Sequence, residues 1–347
     1  MRRLLASSLP LALLAALSPA QTFVQRYGPG IAYSGISGDS SLVQLSDQSG
    51  HSALYTGDGA FVHSNAGFTG AAGVSNSGRE ALAADDPSFP LPFSLLFVRQ
   101  GSDSYPPVLA AGGTALYSPE PQRLDPVSGR LAFVSFDPDS GQIRYGIDDG
   151  TGAATEFSSD GTIGTNLFVF ESVSPNLIAG IGVDDGGNRQ AWWYDTAFHL
   201  LPLAPGQEAD ELRLSVLPTG AQYITGIVHE GLSTFGTAWT LSAGGTATNT
   251  GLHIDGAIGS SGDFGGLSAF WGHDHAYETD LSTGATSEIR TGTGAILQGV
   301  TEAFARQGAF YVSGSFGAGT VQAVPEPATI AALGIGLLVL KRRKRTS

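Results

Sequence analysis

Four short apolar runs recur along this chain at nearly constant spacing, and no other feature narrows its fold as far. Leu131-Ala132-Phe133-Val134, Leu177-Ile178-Ala179-Gly180, Tyr223-Ile224-Thr225-Gly226 and Leu267-Ser268-Ala269-Phe270 begin 46, 46 and 44 residues apart. Runs this short, bounded by Gly, Asp, Asn and Ser clusters and without a sustained 3.6-residue period, are the pattern of strands. A polar turn and a second strand-like run follow. Ala191-Trp192-Trp193-Tyr194 comes after Asp184-Asp185-Gly186-Gly187, and Thr237-Ala238-Trp239-Thr240 after Glu230-Gly231. A partial unit (296–300, then 308–312) closes the series, and residues 52–62 read as one more hairpin. A period near 45 residues with about four strands is the spacing of a β-propeller blade. One such sheet cannot bury both faces alone, so copies must stack round an axis and close. The expected class is all-β with propeller-like repeats; the alternative is a β-sandwich, whose strands recur roughly every 8 to 12 residues.

Composition agrees with many turns and short strands: 49 Gly and 18 Pro punctuate the chain, and 41% of it is hydrophobic, enough for a packed core. With no cysteine, disulfides, thiolate nucleophiles and Cys-based metal sites are all excluded. Eight of the 18 prolines fall between residues 85 and 126, marking long loops or a junction.

The two ends have a different character. Arg2 and Arg3 precede an apolar stretch from Leu4 to Leu17 and the small-residue ending Ser18-Pro19-Ala20. This is the layout of a signal peptide over residues 1–20, cut by signal peptidase after Ala20. At the other end, Pro325-Glu326-Pro327 precedes an uncharged run of 13 residues, 328–340, and then Lys341, Arg342, Arg343, Lys344 and Arg345. As a helix that run reaches roughly 20 Å against a hydrocarbon core of about 30 Å, a short transmembrane segment. The five cations fix its inner end and leave the ectodomain, residues 21–323, outside. Removing both ends takes away seven of the 17 cations and one of the 31 acids, Glu326. The exported part therefore holds ten Arg, no Lys and 30 acids. A net charge near −20 argues against nucleic acid as a partner.

Pro-Glu-Pro, a short hydrophobic helix and an Arg-rich end, in that order over residues 324–345, resemble the PEP-CTERM sorting signal. That resemblance implies recognition and cleavage by an exosortase-type membrane enzyme. It also implies a place at the cell surface or in the extracellular matrix, often beside exopolysaccharide. More loosely, residues 177–252 resemble the HAF-type repeats of exported propeller-like proteins, although the His-Ala-Phe triplet itself is lacking.

No catalytic signature stands out. A Walker loop needs a Lys that the exported part lacks, and neither Gly-x-Ser-x-Gly nor His-Glu-x-x-His occurs. His273 and His275, with Glu278 and Asp280 close by, would share one face of a strand and suit Zn²⁺ or Cu²⁺; the alternative is a polar turn. Asp137 and Asp139, like Asp148-Asp149-Gly150 and Asp184-Asp185-Gly186, carry oxygen ligands that suit Ca²⁺ on stability grounds. The same residues are also the ordinary vocabulary of turns. Among 30 acids no pair is singled out for glycoside cleavage. Trp192, Trp193, Trp239 and Trp271 are sugar-stacking candidates, with Trp192 and Trp239 more simply core. Two function classes follow: a non-catalytic structural or adhesive surface protein meeting exopolysaccharide, or a propeller enzyme, lyase or hydrolase, acting on glycans at the mouth of a central channel.

Overall fold

Hairpin turns set the architecture. In the turn after Asp47, the Ser49 and His51 amides donate to Asp47 Oδ1 at 2.8 and 3.0 Å, and Gly50 takes φ 81°, which lets the chain reverse at once. The computed structural model describes residues 20–85, 94–110, 112–117, 124–150, 154–159, 168–183, 187–217, 219–262, 266–306 and 309–324. The signal segment up to residue 19, Asp184, Asp185, and the whole of 325–347 lie outside the described residues.

Every described element is a strand, and the strands group into seven blades. The first strand, β1 (Ala20–Tyr27), stands apart and is placed last. Blade I is β2 (Ile31–Ile36), β3 (Leu42–Asp47), β4 (Ser52–Thr56) and β5 (Phe61–Ser64). Blade II is β6 (Gly70–Val74), β7 (Glu80–Ala84), β8 (Ser94–Gln100) and β9 (Asp103–Tyr105). Blade III is β10 (Thr114–Tyr117), β11 (Leu131–Asp137), β12 (Gln142–Asp148) and β13 (Ala154–Phe157), with β10 also pairing β8. Blade IV is β14 (Phe168–Val173), β15 (Ile178–Val183), β16 (Arg189–Tyr194) and β17 (Phe198–Leu200). Blade V is β18 (Gln207–Val216), β19 (Gln222–Glu230), β20 (Ser233–Leu241) and β21 (Ala247–Asn249), with the short β22 (Ile254–Asp255) against β20. Blade VI is β23 (Gly259–Ser260), β24 (Leu267–Trp271), β25 (Ala276–Asp280) and β26 (Thr286–Arg290). Blade VII is β27 (Val300–Arg306), β28 (Ala309–Gly314) and β29 (Gly317–Val324), and β1 supplies its fourth, outer strand.

The ring is thus closed by pairing its two ends, from Ala20 opposite Val324 to Tyr27 opposite Ala318. The 46, 46 and 44-residue period follows the second strands of blades III to VI. It fades earlier because Leu42 to Glu80 is 38 residues and Glu80 to Leu131 is 51. In the last unit, Ile296 only bridges Arg290, and the strand proper begins at Val300. β8, β9 and β10 occupy much of the proline-rich 85–126 window.

The core lies between blades. Trp193, Leu212, Ile224 and Trp239 join blades IV and V; Phe157, Phe170, Trp192 and Phe198 join III and IV; Tyr33, Val43, Phe304 and Tyr311 join VII and I. Trp192, Trp193 and Trp239 are fully buried, so they are packing rather than stacking platforms. Glycine makes the fit possible at Gly236 on β20, where a Cβ would stand 2.4 Å from the Phe270 ring of the next blade.

Three buried arginines complete the joints. Arg79 pairs with Asp148 and donates to the Gly129 carbonyl. Arg213 reaches Glu171 on the neighbouring blade at 3.4 Å. Arg306 donates to the carbonyls of Ile36 at 3.2 Å and Gly262 at 3.1 Å, tying blade VII to blades I and VI. A planar guanidinium with several fixed donors can span such joints, which an ammonium cannot. Around Arg306, the axial space bounded by Ile36, Val74, Leu124, Val173, Leu214 and Phe304 is only about 20 Å³. That is room for about one water, so the axis is plugged at this level and does not form the central channel expected for a propeller enzyme.

Candidate functional site

The inner strands carry the feature that builds the site. β2, β6, β14, β18 and β27 each break register against their neighbour within a two-residue step: Tyr33/Gly35, Ala71/Gly73, Phe170/Ser172, Ala209/Glu211 and Val300/Glu302. A β-bulge inserts one residue and re-aims the side chains around it. In blades IV, V and VII the inserted residues are Glu171, Asp210 and Thr301, and all three line one off-axis recess. The recess encloses about 590 Å³. Glu211 and Arg213, two apart on β18, face it together, with Glu302 from β27 and Trp271 and His273 from blade VI.

Most of this charge is already matched. Arg213 approaches Glu171 Oε2 and Glu211 Oε1, each at 3.4 Å, and donates to the Glu171 carbonyl at 3.2 Å. Glu211 Oε1 also accepts from the Ser260 amide at 3.0 Å and hydroxyl at 3.3 Å. On the rim, Asp210 pairs with His229 Nε2 at 2.7 Å and with Arg189. Glu302 is different. Its Oε1 is shut off from solvent and has no hydrogen-bond partner. Burial pushes the Glu302 carboxyl up to about 8, against the pull of Arg213, with the Glu211 carboxylate adding to the rise and the Ala303 amide and Arg306 opposing it. At neutral pH it is therefore a carboxylic acid, able to donate a hydrogen bond beside the ionised Glu211.

The residues singled out from sequence are distributed unevenly. His273 lines the recess, but it lies with Asp274 and His275 in the β24–β25 turn and not on a strand, so the shared strand face expected for a metal does not form. His275 Nδ1 pairs with Asp274 at 2.7 Å instead, because a reversal of so few residues cannot keep period-two alternation. Asp137 Oδ1 accepts from the Asp139 and Ser140 amides at 3.0 and 3.4 Å, and its Oδ2 from the Ser140 hydroxyl at 2.6 Å. Asp139 lies exposed in the same turn. Asp148 binds Arg79, and Glu278 accepts from Gln21 Nε2 at 3.3 Å. Among the described residues no three His, Asp or Glu gather as a metal site. Sequence reasoning missed Glu171, Glu211, Arg213 and Glu302, since a bulge has no reliable composition signal and the four come from three blades.

Residues 323–345 match the PEP-CTERM protein-sorting motif, which marks an exported chain processed by an exosortase-type enzyme. Among the described residues no helix is long and apolar enough to cross a membrane. No match was found among curated proteins. Among solved structures, the chain is similar to the Myceliophteria thermophila Cps50 (Swd1) beta-propeller domain, at 9% identity and a TM-score of 0.53, over 88% of this chain and 99% of that one. It is also similar to the Niastella koreensis GH74 enzyme, at 15% identity and a TM-score of 0.53, over 86% of this chain but only 53% of that one. These likenesses identify the fold as a β-propeller.

Proposed function

From an exported chain bearing a PEP-CTERM motif, we propose a cell-surface or extracellular-matrix protein with a structural or adhesive role in contact with exopolysaccharide. In this reading signal peptidase cuts after Ala20. The apolar run 328–340 then holds the protein in the membrane until exosortase-type processing at Pro325-Glu326-Pro327 releases the ring from its basic tail. One observation carries it: β29 ends at Val324, directly before Pro325, and pairs there with Ala20 of β1. A rigid ring, rather than a flexible stalk, is what the processing enzyme would hand to the surface, with the outer edge of blade VII nearest the membrane. Mass spectrometry of protein taken from the native envelope tests it. The expected species starts at Gln21 and lacks the tail; a full-length species beginning at Met1 would overturn the reading.

The second reading, a glycan lyase or hydrolase, is favoured by the meeting of Glu171, Glu211, Arg213, His273 and Glu302 at one recess. It expects release of new reducing or unsaturated ends from a glycan incubated with the ectodomain.

A further inference from the structure

We propose that the recess over blades IV to VII binds an uncharged, polyhydroxylated glycan segment, and that Glu302 makes the central hydrogen bond to it. The proposal rests on the surface reading above for the class of ligand, and on the recess itself for the choice within that class. Size comes first: about 590 Å³ is within the range of small-ligand sites and holds part of a sugar chain. The axial space, at about 20 Å³, holds none. Chemistry comes second. Glu302 Oε1 faces a polar recess while shut off from bulk water and unpartnered, an arrangement that costs free energy unless something arrives to bond it. A sugar hydroxyl or ring oxygen is such a partner. Thr301 and Ser315 add hydroxyls to the lining, and Trp271 adds an aromatic surface.

Charge decides between glycan classes. The groups around Glu302 are Glu171 on β14, Asp210, Glu211 and Arg213 on β18, His273 in the β24–β25 turn, and Arg306 on β27. Arg213 is held by Glu171 and Glu211, and Arg306 by backbone carbonyls, so neither cation is presented to a ligand anion. A uronate or sulfate would instead meet carboxylates in a protein of net charge near −20. A neutral chain meets no such cost. Because Glu302 donates only while protonated, binding should weaken as pH rises through about 8.

The test is affinity electrophoresis of the folded ectodomain in gels containing neutral glycans (dextran, pullulan, mannan) or anionic ones (alginate, hyaluronan), from pH 6 to pH 9. Wild type should be retarded by at least one neutral glycan and by neither anionic one, with affinity falling about tenfold between pH 7 and pH 9. Glu302→Gln, which keeps an uncharged donor, should bind at pH 7 and lose the alkaline decline, while Glu302→Ala should bind at least tenfold more weakly at every pH. Stronger retardation by alginate, an unaltered Glu302→Ala, an alkaline decline that persists in Glu302→Gln, or no retardation by any neutral glycan would each overturn the proposal. The surface reading fails separately, on the envelope mass measurement. A correctly processed surface protein whose Glu302→Ala variant binds like wild type leaves that reading standing and removes only this one.

Discussion

At the scale of single residues, Glu302 and Gly236 show how position governs what a side chain contributes. The folded protein holds a proton on Glu302 between its ordinary value near 4.5 and about 8, which the unfolded chain releases. Folding therefore takes up a proton in that window. The stabilisation is lost as pH rises through it, in the opposite sense to a salt-bridged carboxylate. Allowing for the partial exposure of the residue, the effect is of the order of 2 kcal/mol. Urea melts should show Glu302→Gln flattening the decline in stability between pH 5 and pH 8; a parallel decline in both proteins would remove Glu302 as its source. Gly236 illustrates steric necessity. An added methyl would stand 2.4 Å from Phe270, a ring held between blades, so Gly236→Ala should cost about 2 kcal/mol, read as a lower melting temperature.

Elements come next, because no strand here carries its own stability. β27 depends on blades I and VI through Arg306, whose guanidinium reaches the Ile36 and Gly262 carbonyls at once. Arg306→Lys keeps the charge and loses the fork. It should leave at least one buried carbonyl unpaired and cost about 2 kcal/mol by denaturant unfolding, whereas a change within experimental error would mean that the carbonyls find other donors. The bulged inner strands follow the same logic. Their shape is tolerable because the second strand of each blade holds them on one side and the neighbouring blade on the other, and that support lets Glu171 and Asp210 turn toward the recess.

On the scale of the whole molecule, closure and processing meet at one strand pair. Removing residues 21–27 deletes the outer strand of blade VII and exposes the edge of β29. The variant should lose its single cooperative melt. A synthetic peptide of sequence Gln-Thr-Phe-Val-Gln-Arg-Tyr should restore that melt by strand addition, and an unchanged melt without peptide would show that closure contributes little. Replacing Pro325-Glu326-Pro327 with three alanines should leave export intact and retain full-length protein in the membrane fraction. Two prolines keep the segment extended and accessible to a processing enzyme, and alanines would let the helix run through it. Release and trimming at the parental rate would refute the sorting role.

What the sequence determined by itself was local. Asp and Gly clusters placed the turns, short apolar runs placed the strands, and regular spacing in blades III to VI disclosed a repeat, because each of these is settled within a few neighbouring residues. The sorting motif was legible for the same reason, as a contiguous pattern. Tertiary structure alone decided that β1 crosses the ring to pair β29, that His273 faces the recess while His275 pairs with Asp274, and that Glu171, Glu211, Arg213 and Glu302 meet. Those outcomes depend on which blades stack and on where bulges shift the register, contacts between residues far apart in the chain, and no local pattern encodes the burial that lifts Glu302 toward 8.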